Sequence, residues 1–153
     1  MAFLIYLDVC CLNRPFDDQT QERIRLEAEA VRLILTRCQS GEWQLLGSEA
    51  IDDELENTPA GERKLQMTIW AALELTKVTL NEQVEYRTME LVNLGFKGQD
   101  AFHIACAEAG NAHILLTTDD RMLRLAARHS AMLQVRVENP FQWVRSVTND
   151  RRE

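Results

Sequence analysis

Short apolar runs alternate with longer stretches of helical periodicity along this chain of 153 residues. Residues 3–7 form the first apolar run, which is typical of a buried strand. From about Thr20 to Gln39, apolar residues recur every three or four positions and predict a helix with one apolar face. That face consists of Ile24, Ala28, Val31, Leu35 and Cys38. Gly41 then lies where a helix C-cap is expected.

The alternation continues toward the C-terminus. Further strands are predicted at residues 44–47, 77–80, 113–117 and 133–137. The helices between them are predicted to start at Ser48, Thr58-Pro59, Asn81, Asp100, Asp119 or Asp120, and Asn139-Pro140. This order of elements predicts an α/β fold, in which a mostly parallel sheet of four or five strands is flanked by helices.

The length of the chain fits one domain, which we place at residues 1–148, followed by a short polar tail at 149–153. No apolar stretch is long enough to span a bilayer, and the first residues lack the basic segment of a signal peptide. A cytoplasmic location is therefore expected. No two cysteines have the CxxC spacing of a zinc site, so we expect reduced, mostly buried thiols. The cysteines are Cys10, Cys11, Cys38 and Cys106.

Two carboxylates follow predicted strands directly. Asp8 comes after the run at residues 3–7, and Asp119 comes after the strand at 113–117. If these strands are parallel, both acids emerge at the same edge of the sheet, where α/β proteins bind ligands. Two acids at the edge of a buried sheet are costly to desolvate unless a positive charge lies between them. This arrangement is the first indication of a metal site.

Other acids are more ambiguous. Asp100 begins an apolar helix, where a helix N-cap and a metal ligand are equally good interpretations. The acidic segment from Glu49 to Glu56 contains five carboxylates, of which only one or two can face a site. The net charge of −7 argues against a general nucleic-acid binder. Four carboxylates in one metal site would leave −3 for the rest of the chain, which weakens that objection.

Four motifs, in order and spacing, resemble those of the PIN-domain nucleases, especially the short VapC-type toxins. A strand ends in Tyr6-Leu7-Asp8, and Ser48 precedes Glu54 by six positions. The segment from Asp100 to Ala107 is similar to the family's D-A-x-H-I-A-x-A helix. The run from Leu115 to Asp119 is similar to a strand ending in T-x-D. Together these motifs span nearly the whole chain.

The resemblance implies a metal-dependent endoribonuclease. Its catalytic residues would bind one or two Mg²⁺ or Mn²⁺ ions, whose preferred ligands are carboxylate and water oxygens. These residues are Asp8, Glu54, Asp100 and Asp119. A metal-activated water would attack the phosphodiester and leave a 5′-phosphate and a 3′-hydroxyl. The resemblance also implies RNA as substrate, a homodimer, and an antitoxin protein as partner if the chain is a toxin.

Several supporting roles stay open; the residues concerned are Thr117, Asn13, Asp120 and Ser48. Thr117 is expected to orient a site carboxylate, although a threonine in a strand is as often structural. Asn13 would contact substrate or a metal-bound water, or serve a plain turn. Asp120 competes with Asp119, but we favour Asp120 as the N-cap of the next helix. Ser48 is expected to cap the helix that carries Glu54.

Glu54 is preferred to Asp53 because of its spacing from Ser48. His103 shares a helix face with Asp100, and a hydrogen-bonded structural role is favoured over a general base. Basic residues near the predicted site would hold phosphates or simply be solvated charge. They are Arg14, Arg23, Lys97, Arg121 and Arg124.

Two other classes of function compete with the nuclease. One is a non-catalytic PIN-like scaffold that binds RNA or a protein partner, and the intact acid set argues against it. The other is a Mg²⁺-dependent phosphatase with Asp8 as nucleophile. It lacks the expected DxD signature, because Cys10 lies two residues after Asp8.

Overall fold

The computed structural model describes residues 2–150, with side chains described for residues 2–148. Its centre is a sheet of five strands in the order β3-β2-β1-β4-β5, and every neighbouring pair is parallel. The strands are β1 (Leu4–Leu7), β2 (Gln44–Ser48), β3 (Thr76–Val78), β4 (Ile114–Leu116) and β5 (Arg136–Glu138). The predicted α/β class, the parallel sheet and its strand number are confirmed.

Eight described α-helices flank the sheet. They are α1 (Val9–Asn13), α2 (Glu22–Ser40), α3 (Glu49–Glu56), α4 (Glu62–Ala71), α5 (Glu82–Asn93), α6 (Gly98–Ala109), α7 (Asp120–Arg128) and α8 (Pro140–Asp150). Short 3₁₀ turns lie at Arg14–Phe16 and Ser130–Met132. No helix in the described part of the chain is long and apolar enough to cross a membrane. Helix α8 continues to Asp150, and the rest of the tail expected at 149–153 lies outside the described residues.

Apolar residues occupy nearly every position of the three central strands, β2, β1 and β4, which lie between two helical layers. Ile5, Leu115 and Leu116 are at most 1% exposed, as expected of a parallel sheet covered on both faces. The register pairs Tyr6 with Leu115 and Leu7 with Leu116. Strands β1 and β4 therefore end side by side, and the backbone N–H of Asp8 donates to the carbonyl of Leu116 at 3.0 Å.

Local capping signals explain several helix ends. Ser48 Oγ accepts from the N–H of Ile51, and Asn81 Oδ1 accepts from the N–H of Val84, as the sequence predicts. Gly41 adopts the left-handed conformation (φ 87°) that ends α2. All four cysteines are free thiols; Cys11 and Cys106 are buried, and Cys10 and Cys38 are partly buried.

Two helix starts, one helix cap and one strand start differ from the prediction. Helix α4 begins at Glu62 rather than at Thr58-Pro59, because the Thr58 hydroxyl donates back to the carbonyl of Glu54 and closes a turn there. Helix α6 begins at Gly98, so Asp100 is its third residue and not its N-cap. Helix α7 is capped by Asp119, so the assignment of Asp120 as N-cap is wrong. The last strand starts at Arg136, three residues later than the predicted start at 133.

Candidate functional site

Asp8 lies at the carboxyl edge of the sheet with only 5% of its surface exposed. Its Oδ2 accepts a hydrogen bond from Thr117 Oγ1 at 2.9 Å, across the β1–β4 pair. Thr117 Oγ1 also accepts from the backbone N–H of Asp119 at 3.2 Å. Thr117 therefore links two of the predicted ligands, a placement consistent with its expected role in orienting a site carboxylate.

Glu54 reaches the same edge from helix α3. Ser48 fixes the start of this helix, and Glu54 lies on the half-buried side while Asp53 is exposed. Glu54 Oε1 lies 2.9 Å from His103 Nε2. The choice of Glu54 over Asp53 is consistent with this placement.

His103 is fully buried between the acids and strand β1. Its Nε2 contacts Glu54 and lies 3.5 Å from Asp8 Oδ1, while Nδ1 lies 2.6 Å from Tyr6 Oη. Burial lowers the pKa of the imidazole, but the charges of Asp8 and Glu54 and the hydrogen bond to Glu54 outweigh it, so the pKa is raised. His103 is thus hydrogen-bonded, as favoured from the sequence, and its partners are Tyr6 and the predicted ligand Glu54.

Asp100 lies one turn before His103 on α6 and is half-buried. Burial, followed by the charges of Asp8 and Asp119, raises the pKa of its carboxyl to about 6. The like charges of three predicted ligands therefore interact at this edge. Such repulsion is relieved by a proton or by a bound cation.

Asp119 enters the site from the N-terminus of α7. Its Oδ1 accepts from the backbone N–H groups of Arg121 (2.9 Å) and Met122 (3.2 Å). Asp120 is exposed and forms an ion pair with Arg23 at 2.7 Å, which lowers the pKa of its carboxyl. The geometry therefore favours Asp119 over Asp120 as a site residue.

The donor set fits a divalent cation. Asp8, Glu54 and His103 each offer one atom, and these atoms lie within 4.8 Å of one another. Within the described part of the chain, no lysine or arginine forms an ion pair with any of the four predicted ligands. Oxygen-rich sites of this kind suit Mg²⁺ and Mn²⁺.

The surrounding polar residues divide into two groups. Arg14 and Arg23 both pair with Glu27, a buried carboxylate on α2, so they are structural cations. Asn13 is the last residue of α1, and its Nδ2 donates to Asp17 Oδ1 at 3.2 Å. By contrast, three of the basic residues near the predicted site form no ion pair among the described residues; they are Lys97, Arg121 and Arg124.

Sequence reasoning missed Tyr6. This residue is fully buried, and its Oη lies 2.7 Å from Ser48 Oγ as well as 2.6 Å from His103. A signal was present, since a tyrosine in an otherwise apolar buried strand requires a partner for its hydroxyl. That partner lies 97 positions away along the chain, which spacing alone does not reveal.

The titration of Asp100 makes the stability of the metal-free protein depend on pH. A pKa raised from 3.8 to about 6 means that the folded state holds this proton more tightly than the unfolded state. The resulting stabilisation is complete below pH 4 and is lost as the pH rises through 6. Asp100→Asn removes the charge, so it should be more stable than the parent by about 1–2 kcal/mol at pH 7.5, after allowing for solvent screening.

Urea denaturation in the presence of a chelator measures this difference. The difference should shrink as the pH falls through 6 and should be small at pH 4, where the folded carboxyl is protonated and the unfolded one is partly protonated. Asp53→Asn, which alters an exposed acid on α3, is the matched control and should show little pH-dependent gain. A gain for Asp100→Asn that is equal at pH 4 and pH 7.5 would contradict the assigned cause.

Comparison with known proteins identifies the fold. No protein-family model and no curated protein matches the sequence. A solved structure does match: the crystal structure of VapBC2 from Rickettsia felis bound to a DNA fragment from their promoter has a TM-score of 0.55 and 12% sequence identity. The match covers 90% of this chain and 98% of that chain. At this identity the likeness concerns the fold alone, and the chain shares its α/β architecture with a chain of the VapBC2 structure.

Proposed function

We propose that the protein is a Mg²⁺- or Mn²⁺-dependent endoribonuclease of the PIN type. The observation that carries this proposal is the convergence of carboxylates at one edge of a parallel sheet, where none of them forms an ion pair with a lysine or arginine of the described residues. Asp8 and Glu54 both lie next to His103, and the charges of Asp8 and Asp119 raise the pKa of Asp100. The likeness in fold to a VapBC2 structure and the four sequence motifs support the same assignment.

In this proposal the four carboxylates hold the cation, and the protein around them keeps each one in place. Thr117 orients Asp8 by donating to Oδ2, and the cap of α7 fixes one oxygen of Asp119. A bound Mg²⁺ or Mn²⁺ supplies Lewis acidity at the scissile phosphate and lowers the pKa of a water molecule. Asp100, whose own pKa is about 6, is ionised at neutral pH and becomes a ligand once a cation offsets its neighbours.

RNA binding requires positive charge near this acidic edge. Lys97 precedes α6 and acts on the carboxyl of Asp100, and Arg121 lies in the first turn of α7. Neither pairs with an acid among the described residues, so both are available for backbone phosphates. These contacts carry no base information, so the proposal covers RNA as a class and not a particular sequence.

Cleavage of a broad panel of single-stranded and structured RNAs tests the assignment. The expected products carry a 5′-phosphate and a 3′-hydroxyl, and they form only when Mg²⁺ or Mn²⁺ is present. Binding of RNA without cleavage under any of these conditions would favour the non-catalytic scaffold instead.

An antitoxin partner and a homodimer belong to the same proposal. The VapBC2 structure is a complex by its description, and this chain exposes large apolar side chains on two helices. They are Leu65 and Ile69 on α4, with Tyr86, Met89 and Val92 on α5. Light scattering at micromolar concentration should give twice the monomer mass, since such surfaces are rarely left uncovered. The monomer mass would contradict the dimer but not the nuclease.

A further inference from the structure

We propose that Tyr6 and His103 are positioning residues, in which Tyr6 fixes the imidazole of His103 and the imidazole holds Glu54 and Asp8 for the cation. This inference deepens the proposed metal-dependent function and rests on it. It concerns residues that lie behind the four carboxylates and that are not themselves assigned as ligands.

A continuous chain of hydrogen bonds runs through the core to the site. Ser48, Tyr6 and His103 are each 0% exposed. Ser48 Oγ lies 2.7 Å from Tyr6 Oη, which lies 2.6 Å from His103 Nδ1. On the far side of the ring, Nε2 lies 2.9 Å from Glu54 Oε1. The chain thus connects the end of β2, the middle of β1, helix α6 and helix α3.

The direction of donation follows from what each group can offer. An ionised Glu54 only accepts hydrogen bonds, so the proton in the contact with Nε2 must be on the histidine. In a neutral ring Nδ1 is then an acceptor, and Tyr6 Oη donates to it; in a protonated ring both nitrogens donate, and the contact of Nε2 with Glu54 is the same. Ser48 Oγ accepts from the N–H of Ile51 and donates to Tyr6. Every polar atom of this buried chain is therefore satisfied, as burial requires.

Gln99 is the other polar neighbour of the ring. Its Nε2 lies 3.5 Å from His103 Nε2, and it also donates to the carbonyl of Ala50 at 3.4 Å. Both distances are longer than the 2.9 Å contact of His103 with Glu54. The short contact decides the assignment, because hydrogen bonds weaken steeply with distance and misalignment.

This arrangement prepares the carboxylates for a cation. His103 donates from Nε2 to Glu54 Oε1, and the same nitrogen lies 3.5 Å from Asp8 Oδ1. Thr117 donates to the other oxygen of Asp8, Oδ2. The protein thereby satisfies part of the hydrogen-bonding capacity of both carboxylates and leaves their remaining lone pairs for the ion. A ring nitrogen that carries a proton does not coordinate a metal, so the cation meets oxygen ligands, which Mg²⁺ and Mn²⁺ prefer. Groups in this outer position typically affect metal affinity by about 10- to 100-fold.

The opposite tautomer makes the competing prediction. If Nδ1 carried the proton and donated to Tyr6, Nε2 would be free to coordinate, and the grouping of Asp8, Glu54 and His103 would itself be the metal site. The two arrangements use the same distances but differ in which ring nitrogen is protonated and in whether nitrogen touches the metal.

Metal binding by two matched pairs of variants tests the proposal. Tyr6→Phe removes only the buried hydroxyl, and Tyr86→Phe removes an exposed hydroxyl from α5 as its control. His103→Gln retains an N–H near the position of Nε2, whereas His103→Leu does not. Each protein is titrated with Mn²⁺, and the free ion is followed by electron paramagnetic resonance, with circular dichroism as the check on folding.

We expect Tyr6→Phe and His103→Leu to bind Mn²⁺ about 10-fold or more weakly than the parent. Tyr86→Phe should match the parent, and His103→Gln should recover most of the affinity lost in His103→Leu. In ¹⁵N spectra of the parent, Nε2 of His103 should be the protonated nitrogen with and without metal. Tyr6→Phe retains the aromatic ring of residue 6 and its packing. This variant therefore still tests the proposal if His103→Leu fails to fold.

Two results would overturn this inference while leaving the nuclease proposal standing. One is parent-like Mn²⁺ affinity in folded Tyr6→Phe and His103→Leu. The other is a nitrogen directly coordinated to Mn²⁺, detected by pulsed resonance in the parent and lost in His103→Gln. Failure of the parent itself to bind Mn²⁺ or Mg²⁺ would instead overturn the proposed function and, with it, the positioning role.

Discussion

Replacing Asp8 by Asn is expected to reduce RNA cleavage by at least about 100-fold, because loss of a ligand charge removes several kcal/mol of transition-state stabilisation. The side chain keeps its shape and retains an oxygen that accepts the 2.9 Å hydrogen bond from Thr117. The fold should therefore survive. In the absence of metal, stability should stay the same or increase, since repulsion with Asp100 is relieved.

Asp53→Asn separates this effect from a general loss of negative charge. Asp53 lies next to Glu54 on α3 but is exposed, so its replacement changes the net charge by the same amount without altering the site. Initial rates on one cleavable RNA, with melting temperatures of all three proteins, make the comparison. Equal cleavage by Asp8→Asn and the parent would remove Asp8 from the catalytic set.

Chelation of divalent cations is expected to lower cleavage to the background rate, and Mg²⁺ or Mn²⁺ should restore it. The acids at the site form no ion pair with a lysine or arginine among the described residues, so a bound ion would supply the positive charge that these carboxylates need. Adding either ion should also raise the melting temperature, because a ligand that binds only the folded state stabilises it.

Protonation of Asp100 is expected to weaken metal binding at low pH. A cation must compete with the proton on a carboxyl whose pKa is about 6, so the concentration of Mg²⁺ needed for half-maximal rate should rise below pH 6. Cleavage that persists unchanged in excess chelator would contradict a metal-dependent mechanism, whatever the identity of the RNA.

Local signals in the sequence were sufficient to place most of the fold. The buried strands β1 and β4 are continuous apolar runs, and Ser48, Asn81 and Gly41 mark helix ends through contacts within three residues. The positions of Asp8 and Asp119 at one edge followed from parallel pairing. These features depend on neighbouring residues, which is why a single sequence reveals them.

The features that sequence reasoning missed depend on distant residues or on backbone angles. Asp119 rather than Asp120 caps α7 because Asp119 has the extended backbone of an N-cap, whereas Asp120 is already the first residue of the helix. The start of α4 is delayed by the bond from Thr58 to Glu54, which competes with the helix. The contact of Tyr6 with His103 joins residues 97 positions apart, so only the folded chain brings it into view.

The most direct test of the central claim is the anomalous scattering of Mn²⁺ in crystals of the protein. The account predicts a peak at the carboxyl edge of the sheet, with oxygens of Asp8 and Glu54, and of Asp100 or Asp119, at about 2.0–2.3 Å from the ion. His103 Nε2 should lie outside that distance and remain bonded to Glu54. No peak at this edge in the presence of millimolar Mn²⁺, or a peak only at another part of the surface, would contradict the metal site and the nuclease built on it.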